Sequence, residues 1–146
     1  RFAPRIDASV TEADGKLGVC SVPRTGERPW LEALHAHRLA VLQAPTNGFA
    51  TVWVGDRAAP LADPGPCDLD LRVAGDATQH VLWRLENGEL EGYSARRFVV
   101  RAGAHNSPFD QPPGGVENGL RKIRAVIAAR HPTAEIVVES SWRKRK

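Results

Sequence analysis

Apolar residues recur along the chain with two spacings, one typical of helices and one typical of strands. Helical spacing is found at 30–42, 77–86 and 116–129, where apolar residues return every three or four positions. Short apolar or alternating runs at 50–54, 69–73, 97–101 and 135–139 are typical of strands, the second of them placed laterally in the sheet. Strands that alternate with helices predict an α/β domain with a parallel sheet and helices on both faces.

Turn-forming and capping residues mark the ends of these elements. Pro29 suits the first turn of the first helix, because the N–H that proline lacks would be unpaired there. The run Gly75-Asp76-Ala77-Thr78 supplies a turn and an N-cap for the second helix, and Asn87-Gly88 ends that helix. These signals mark the ends of the predicted helices and support the order α-β-β-α-β-α-β.

The regions outside the periodic elements define the domain organisation and most of the net charge. The first 28 residues lack sustained periodicity and predict an extended arm with at most one short strand at 17–22. The α/β domain then occupies 29–142, and a basic tail occupies 143–146. The formal net charge of the chain is +3. The four residues of the tail contribute +4, so the rest of the chain sums to −1. We therefore do not expect the domain to bind nucleic acid.

Composition and cysteine spacing exclude several further classes of protein. No apolar run reaches the roughly 18 residues of a membrane span. Cys20 and Cys67 lie 47 residues apart and form no C-x-x-C motif, so neither a four-cysteine zinc site nor a thioredoxin-like motif is expected. His35 and His37 are two residues apart on a predicted helix and point to different faces, unlike a zinc-binding pair. We expect no metal and no cofactor, and two small thiols that are buried or half-buried.

Three loops that follow predicted strands contain the candidate functional residues. They read Gly55-Asp56-Arg57, Gly75-Asp76 and Gly103-Ala104-His105-Asn106. In open parallel sheets, ligands bind beyond the carboxyl ends of the strands, so these loops should share one edge. The expected members of this edge are Asp56, Arg57, Gly75, His105 and Asn106.

These loops, together with the stretch from Gly75 to Leu90, resemble the SGNH (GDSL-type) hydrolases. Within that superfamily the chain most resembles the catalytic subunits of intracellular platelet-activating-factor acetylhydrolases. The resemblance spans about 52–138, with a weaker match at 30–42. It implies a flavodoxin-like three-layer α/β/α fold whose C-terminal part is missing here, and hydrolysis of acyl esters. It also implies a cytoplasmic location, with secretion left open, and either a homodimer or a protein partner.

The resemblance implies a catalytic set that this sequence keeps only in part. In the family a serine follows the Gly-Asp after the first strand and attacks the ester carbonyl, but that position holds Arg57 here. Gly75 matches the glycine that stabilises the oxyanion, and His105 stands where the family has an asparagine, with Asn106 one residue later. The Asp-x-x-His that orients and supplies the general base does not occur in the 146 residues.

Other residues offer partial replacements for the missing groups. Ser107 lies in the third loop but before Pro108, a setting typical of a turn rather than of an exposed nucleophile. Arg57 suits either an anion site or an exposed surface position. Trp30, Trp53 and Trp83 lie on apolar faces, and we predict that they belong to the core.

Three hypotheses about function remain at this stage. The chain is an acetylhydrolase-like domain that has lost catalysis; an esterase completed by residues outside this chain; or a non-catalytic module for binding or dimerisation. An acyl-ester small molecule is the expected ligand in the first two cases.

Overall fold

The computed structural model describes residue 21 and residues 23–56, 64–106 and 114–140. Within them the chain forms three α-helices and four strands in the predicted order, and a π-helical turn extends the second helix. In chain order the elements are α1 (Arg28–Leu42), β1 (Phe49–Gly55), β2 (Asp68–Arg72), α2 (Thr78–Arg84), the π-turn (Leu85–Glu89), β3 (Ala95–Ala102), α3 (Gly114–Arg130) and β4 (Glu135–Ser140). None of the helices described is long and apolar enough to cross a membrane.

All strand pairs are parallel, and the spatial order of the sheet is β2-β1-β3-β4. The second strand lies at one edge, as its alternating pattern predicted. The chain runs from β1 outward to β2 and then crosses back over β1 to reach β3 and β4. This order reverses direction at β1, which makes the carboxyl ends of β1 and β3 the topological switch point. The parallel sheet and its helices confirm the predicted α/β three-layer fold class.

The main core lies between one face of the sheet and the pair α2 and α3. Val52 and Val54 of β1 point into it together with Val81 of α2. The helical stripe predicted for α3 is buried over its whole length, at Val116, Leu120, Ile123 and Ile127. Burying a side chain of this type stabilises the fold by about 1.5–3 kcal/mol. The hydrophobic pattern therefore decided which faces of β1 and α3 are covered, whereas Leu31 and Leu42 of the apolar stripe of α1 are exposed.

Two of the three predicted core tryptophans are buried, and the third is not. Trp30 of α1 and Trp83 of α2 pack with their ring centroids 5.5 Å apart, in a small cluster beside Val73. Trp53 instead lies half-buried on the other face of the sheet, where its Nε1 donates to Asp68 at 3.3 Å. The prediction for Trp53 is wrong because side chains alternate along a strand, and residues 52 and 54 already face the core.

Several predictions fall outside the residues that the structure describes. The predicted strand at 17–22 lies there apart from Ser21, as do Cys20, Arg57 and the basic tail. The boundaries of the arm, the domain and the tail therefore stay predictions. Cys67 is described as an exposed free thiol, so the expectation that it is buried or half-buried is wrong. It lies in the turn before β2, where the chain runs along the surface.

Candidate functional site

The residues predicted for the functional edge follow the carboxyl ends of three adjacent strands. Asp56 comes directly after β1, Gly75 lies three residues after β2, and His105 and Asn106 follow β3. The backbone ladder continues up to this edge, since the N–H of Asp56 donates to the carbonyl of Arg101 at 3.0 Å. The structure places these four residues at one edge, and their catalytic roles stay predictions.

Asn106 is fully buried and links the loop after β3 to the start of α2. Its Oδ1 accepts from the N–H of Thr78 at 2.9 Å, and its Nδ2 donates to Thr78 Oγ1 at 2.7 Å. Nδ2 also lies 3.5 Å from Oε1 of Gln79, at the limit of a hydrogen bond. Both ends of the Asn106 amide are therefore used inside the protein. The neighbouring His105 is half-buried.

The start of α2 is capped differently from the sequence prediction. Its N-cap residue is Ala77, which makes no side-chain cap. The N–H of Ala77 donates instead to Nδ1 of His80 at 3.0 Å, and Asn106 accepts from the next N–H of the helix. Burial lowers the pKa of His80 to about 4, so its ring is neutral at pH 7 and able to accept. The run Gly75–Thr78 supplies the predicted turn, with φ of +82° at Gly75, but not the predicted side-chain cap.

Two buried donors near this edge have no hydrogen-bond partner among the described residues. They are Nε2 of Gln79, in the first turn of α2, and Nε of Arg101, near the end of β3. An unpaired buried donor costs about 1–3 kcal/mol, and such groups call for a water, an ion or a ligand. The carboxyl edge therefore retains hydrogen-bonding capacity that the described residues do not use.

The fully buried side chains of Asp76 and Arg84 form the centre of an ionic network below this edge. Arg84 Nε donates to Asp76 Oδ2 at 2.8 Å, and Nη1 donates to the carbonyl of Leu71 at 2.7 Å. The other oxygen of Asp76 accepts from Trp30 Nε1 at 3.0 Å and from Arg24 at 2.5 Å. Asp76 therefore joins α1, α2 and the segment before α1 rather than capping a helix.

The same network extends through Glu89 to His37. Glu89 Oε1 accepts from Arg84 Nη1 at 2.5 Å, and Oε2 lies 2.6 Å from Nδ1 of His37 on α1. Burial acts to raise the pKa of Glu89, but Arg84 and His37 together hold that pKa below its ordinary value. Burial likewise opposes the charge of Arg84, and the carboxylates of Glu89 and Asp76 more than offset it and raise the pKa of Arg84. The network is charged and internally paired.

The sequence analysis did not identify this network, although it contained one signal. Arg84 lies three residues after Val81, on the stripe of α2 that faces the core. A charged residue on an apolar stripe must find partners, because an unpaired buried charge is costly. That signal locates Arg84 but not its partners, which come from other segments. His37 is buried whereas His35 is exposed, as the two-residue spacing predicted. No group of three or more metal-ligating side chains forms among the residues described.

Comparison with known proteins finds relatives for part of the chain. The chain is 41% identical over 70 residues to the platelet-activating factor acetylhydrolase IB subunit alpha1 of Bos taurus, a match that covers 48% of the chain and 29% of that subunit. The alpha1 subunit of Homo sapiens gives the same identity and coverage. The alpha2 subunit of Rattus norvegicus is 40% identical over 70 residues, which cover 30% of its length.

Over these 70 residues the chain is a relative of the acetylhydrolase subunits. It spans less than a third of the length of the curated relatives that it matches. No family model matches the chain.

Proposed function

We propose that this chain is an acetylhydrolase-type domain of the SGNH hydrolase superfamily in which ester hydrolysis is impaired. The observation that carries the proposal is the residue at the nucleophile position, where Arg57 stands in place of serine. A hydroxyl nucleophile attacks the ester carbonyl and a nearby base takes its proton, and a guanidinium provides neither the attack nor the acyl-enzyme. By this resemblance, an acyl ester is the small molecule that we expect to bind at this edge.

The geometry of Asn106 supports the same proposal. An oxyanion site needs N–H donors that point at the developing negative charge. The amide of Asn106 is committed to the start of α2, and His105 occupies the position that the resemblance assigns to the donor. The described edge therefore offers Gly75 as the one remaining match to that pattern. The resemblance to intracellular hydrolases also favours a cytoplasmic location.

The test is the hydrolysis of p-nitrophenyl acetate by the 146-residue chain. We expect no turnover above background, because loss of a catalytic triad removes on the order of 10⁶ in rate. The variant Arg57→Ser should restore little, since the chain still lacks the Asp-x-x-His base. Ser107→Ala is the matched control for an unorthodox serine nucleophile.

Two results would contradict the impaired reading. Turnover by the unmodified chain that Ser107→Ala abolishes would identify Ser107 as a nucleophile. Turnover by Arg57→Ser alone would require a base that the family pattern does not include, and loss of that activity on adding His105→Ala would identify it. Turnover that appears only when further sequence is attached to the chain would favour the second hypothesis, an esterase completed from outside it.

A second candidate function is a non-catalytic module for binding or dimerisation. The observation that favours it is the contrast between the buried ionic network, which is paired, and the nucleophile position, which has lost its serine. Asp76 and Arg84 are hydrogen-bonded to each other and to further groups inside the protein, whereas the nucleophile position holds Arg57. Light scattering coupled to size-exclusion chromatography tests dimerisation against the 15.9 kDa of one chain. A single species at that mass over the whole concentration range would contradict a homodimer.

A further inference from the structure

A cavity of about 250 Å³ lies between α1 and the π-turn, away from the loops at the carboxyl edge. Four of its lining side chains are apolar: Leu31, Leu34, Val41 and Leu71. His37 and Glu89 lie at its polar end. Exposed side chains, among them His35 and Arg38, also line it, so the cavity opens to solvent. An apolar cavity with a few fixed polar groups is the usual form of a small-molecule site.

The polar end of this cavity has a defined hydrogen-bonding character. Glu89 is an ionised carboxylate that can only accept, and both of its oxygens are occupied, by Arg84 and His37. Nδ1 of His37 therefore carries the proton that it donates to Glu89. This leaves Nε2 of His37, for which no hydrogen bond is found among the described residues, as the ring nitrogen open to a ligand. The ring itself is held in one orientation by its carboxylate.

The π-turn leaves room for a ligand beside this nitrogen. Gly88 lines the cavity with φ of +113°, and a Cβ built there would meet no atom within 4 Å. Asn87 and Gly88 depart from helical geometry, so the chain kinks here, where the sequence predicted the end of the helix. At Gly88 only backbone faces the cavity, and side chains of α1 form the opposite wall.

We propose that this cavity binds a small apolar molecule with one hydroxyl group, which forms a hydrogen bond with Nε2 of His37 and can do so as donor or as acceptor. The apolar body lies against Leu34 and Val41. A dry cavity of roughly 150 Å³ holds benzene, so about 250 Å³ accommodates a molecule of about ten non-hydrogen atoms. Burying a carboxylate costs far more than burying a hydroxyl, so a neutral hydroxyl is favoured over an anionic group in a cavity with an apolar wall.

The probe that matches these requirements is 4-propylphenol. We expect saturable binding to the 146-residue chain with a Kd below about 1 mM, measured by calorimetry. Amide chemical-shift changes should concentrate in α1 and the π-turn. Propylbenzene has the same body without the hydroxyl and should bind about tenfold more weakly, the ratio that one ordinary hydrogen bond produces. 4-Propylbenzoate, the anionic counterpart, should bind more weakly than the phenol.

Two variants on one helix provide the matched control. Leu34→Trp fills the cavity and should abolish binding, whereas Leu39→Trp adds the same bulk at a site that is 50% exposed and should leave binding unchanged. His37→Leu should bind propylbenzene and 4-propylphenol equally. Circular dichroism establishes that each variant is folded, and if one is not, the chemical-shift map of the unmodified chain decides.

Several outcomes would overturn the proposal. Failure of 4-propylphenol to saturate, or shifts concentrated away from α1 and the π-turn, would show that the cavity is not a site for such molecules. Equal affinity for propylbenzene would remove the hydroxyl from the proposal, and tighter binding of 4-propylbenzoate would show that the cavity takes an anionic group instead. Binding that survives Leu34→Trp in a folded variant would place the ligand elsewhere.

Discussion

Replacing Arg84 with methionine removes the centre of the buried ionic network while keeping a long unbranched side chain. In the folded protein the Arg84 guanidinium donates to Asp76, to Glu89 and to the carbonyl of Leu71 at 2.8, 2.5 and 2.7 Å. After the substitution Asp76 keeps Trp30 and Arg24 as donors, and Glu89 keeps His37. One oxygen of each buried carboxylate, Oδ2 of Asp76 and Oε1 of Glu89, then loses its donor.

The magnitude follows from the burial of these groups. Breaking a buried ion pair by removing one partner typically destabilises a protein by about 3–5 kcal/mol, because the remaining charge is left uncompensated. A domain of this size has a total free energy of unfolding of about 5–15 kcal/mol. We therefore expect Arg84→Met to remove a fifth or more of the free energy of unfolding. At about 2–4 °C per kcal/mol, the melting temperature should fall by roughly 6–20 °C.

Urea unfolding followed by tryptophan fluorescence measures this loss, since Trp30 and Trp83 lie beside the network. The matched control is Arg130→Met, which breaks the ion pair of Arg130 with Glu91 at 2.6 Å on the surface. Their side chains are 51% and 61% exposed, so the control should cost at most about 1 kcal/mol. If Arg84→Met and Arg130→Met cost the same, the network does not hold the segments together and the reasoning fails.

Three further predictions concern the start of α2 and the glycines. Burial lowers the pKa of His80 to about 4, below its unfolded value of about 6.5. The free energy of unfolding should therefore fall by on the order of 3 kcal/mol as the pH drops from about 6.5 to about 4. The variant His80→Gln should remove this part of the pH dependence in urea titrations. A Cβ at Gly55 would overlap a backbone carbonyl oxygen, whereas one at Gly88 would meet nothing within 4 Å. Gly88→Ala should therefore cost about 1–2 kcal/mol of backbone strain, and Gly55→Ala should cost clearly more. Equal midpoints of urea unfolding for the two variants would contradict this prediction. Asn106→Ala should cost about 1–3 kcal/mol because it leaves a buried N–H unpaired, whereas Asn106→Asp keeps the acceptor and should unfold closer to the unmodified protein.

The sequence predicted where the candidate edge lies in the fold, but only part of the contacts that its residues make. Any parallel sheet brings the loops after its strands to one edge, so the positions of Asp56, Gly75 and Asn106 followed from the order of elements. What the Asn106 amide does there did not follow, because its partner Thr78 lies 28 residues away in sequence. The same holds for the cap of α2. Its acceptors are a neutral histidine ring and a side chain from another loop.

The sequence by itself determined the elements, their order and the faces that β1 and α3 bury. Apolar spacing is a local property, and it is enough to decide that residues such as Ile123 and Ile127 point inward. It also limited the topology, since strands separated by helices form parallel pairs. Because side chains alternate along β1, Trp53 must face away from Val52 and Val54, and the sequence already implied this. The apolar character of the whole run hid the alternation.

Only the tertiary structure decided which charged groups meet inside the protein and where the cavity lies. His37 and Glu89 are 52 residues apart, and Arg24 and Asp76 are also 52 apart. No local pattern pairs such residues, because a buried charge needs a partner within hydrogen-bond reach but not at any fixed distance along the chain. The cavity beside His37 has the same origin. It is the space left where α1 meets a π-turn, and it is determined by packing between segments rather than by either segment alone.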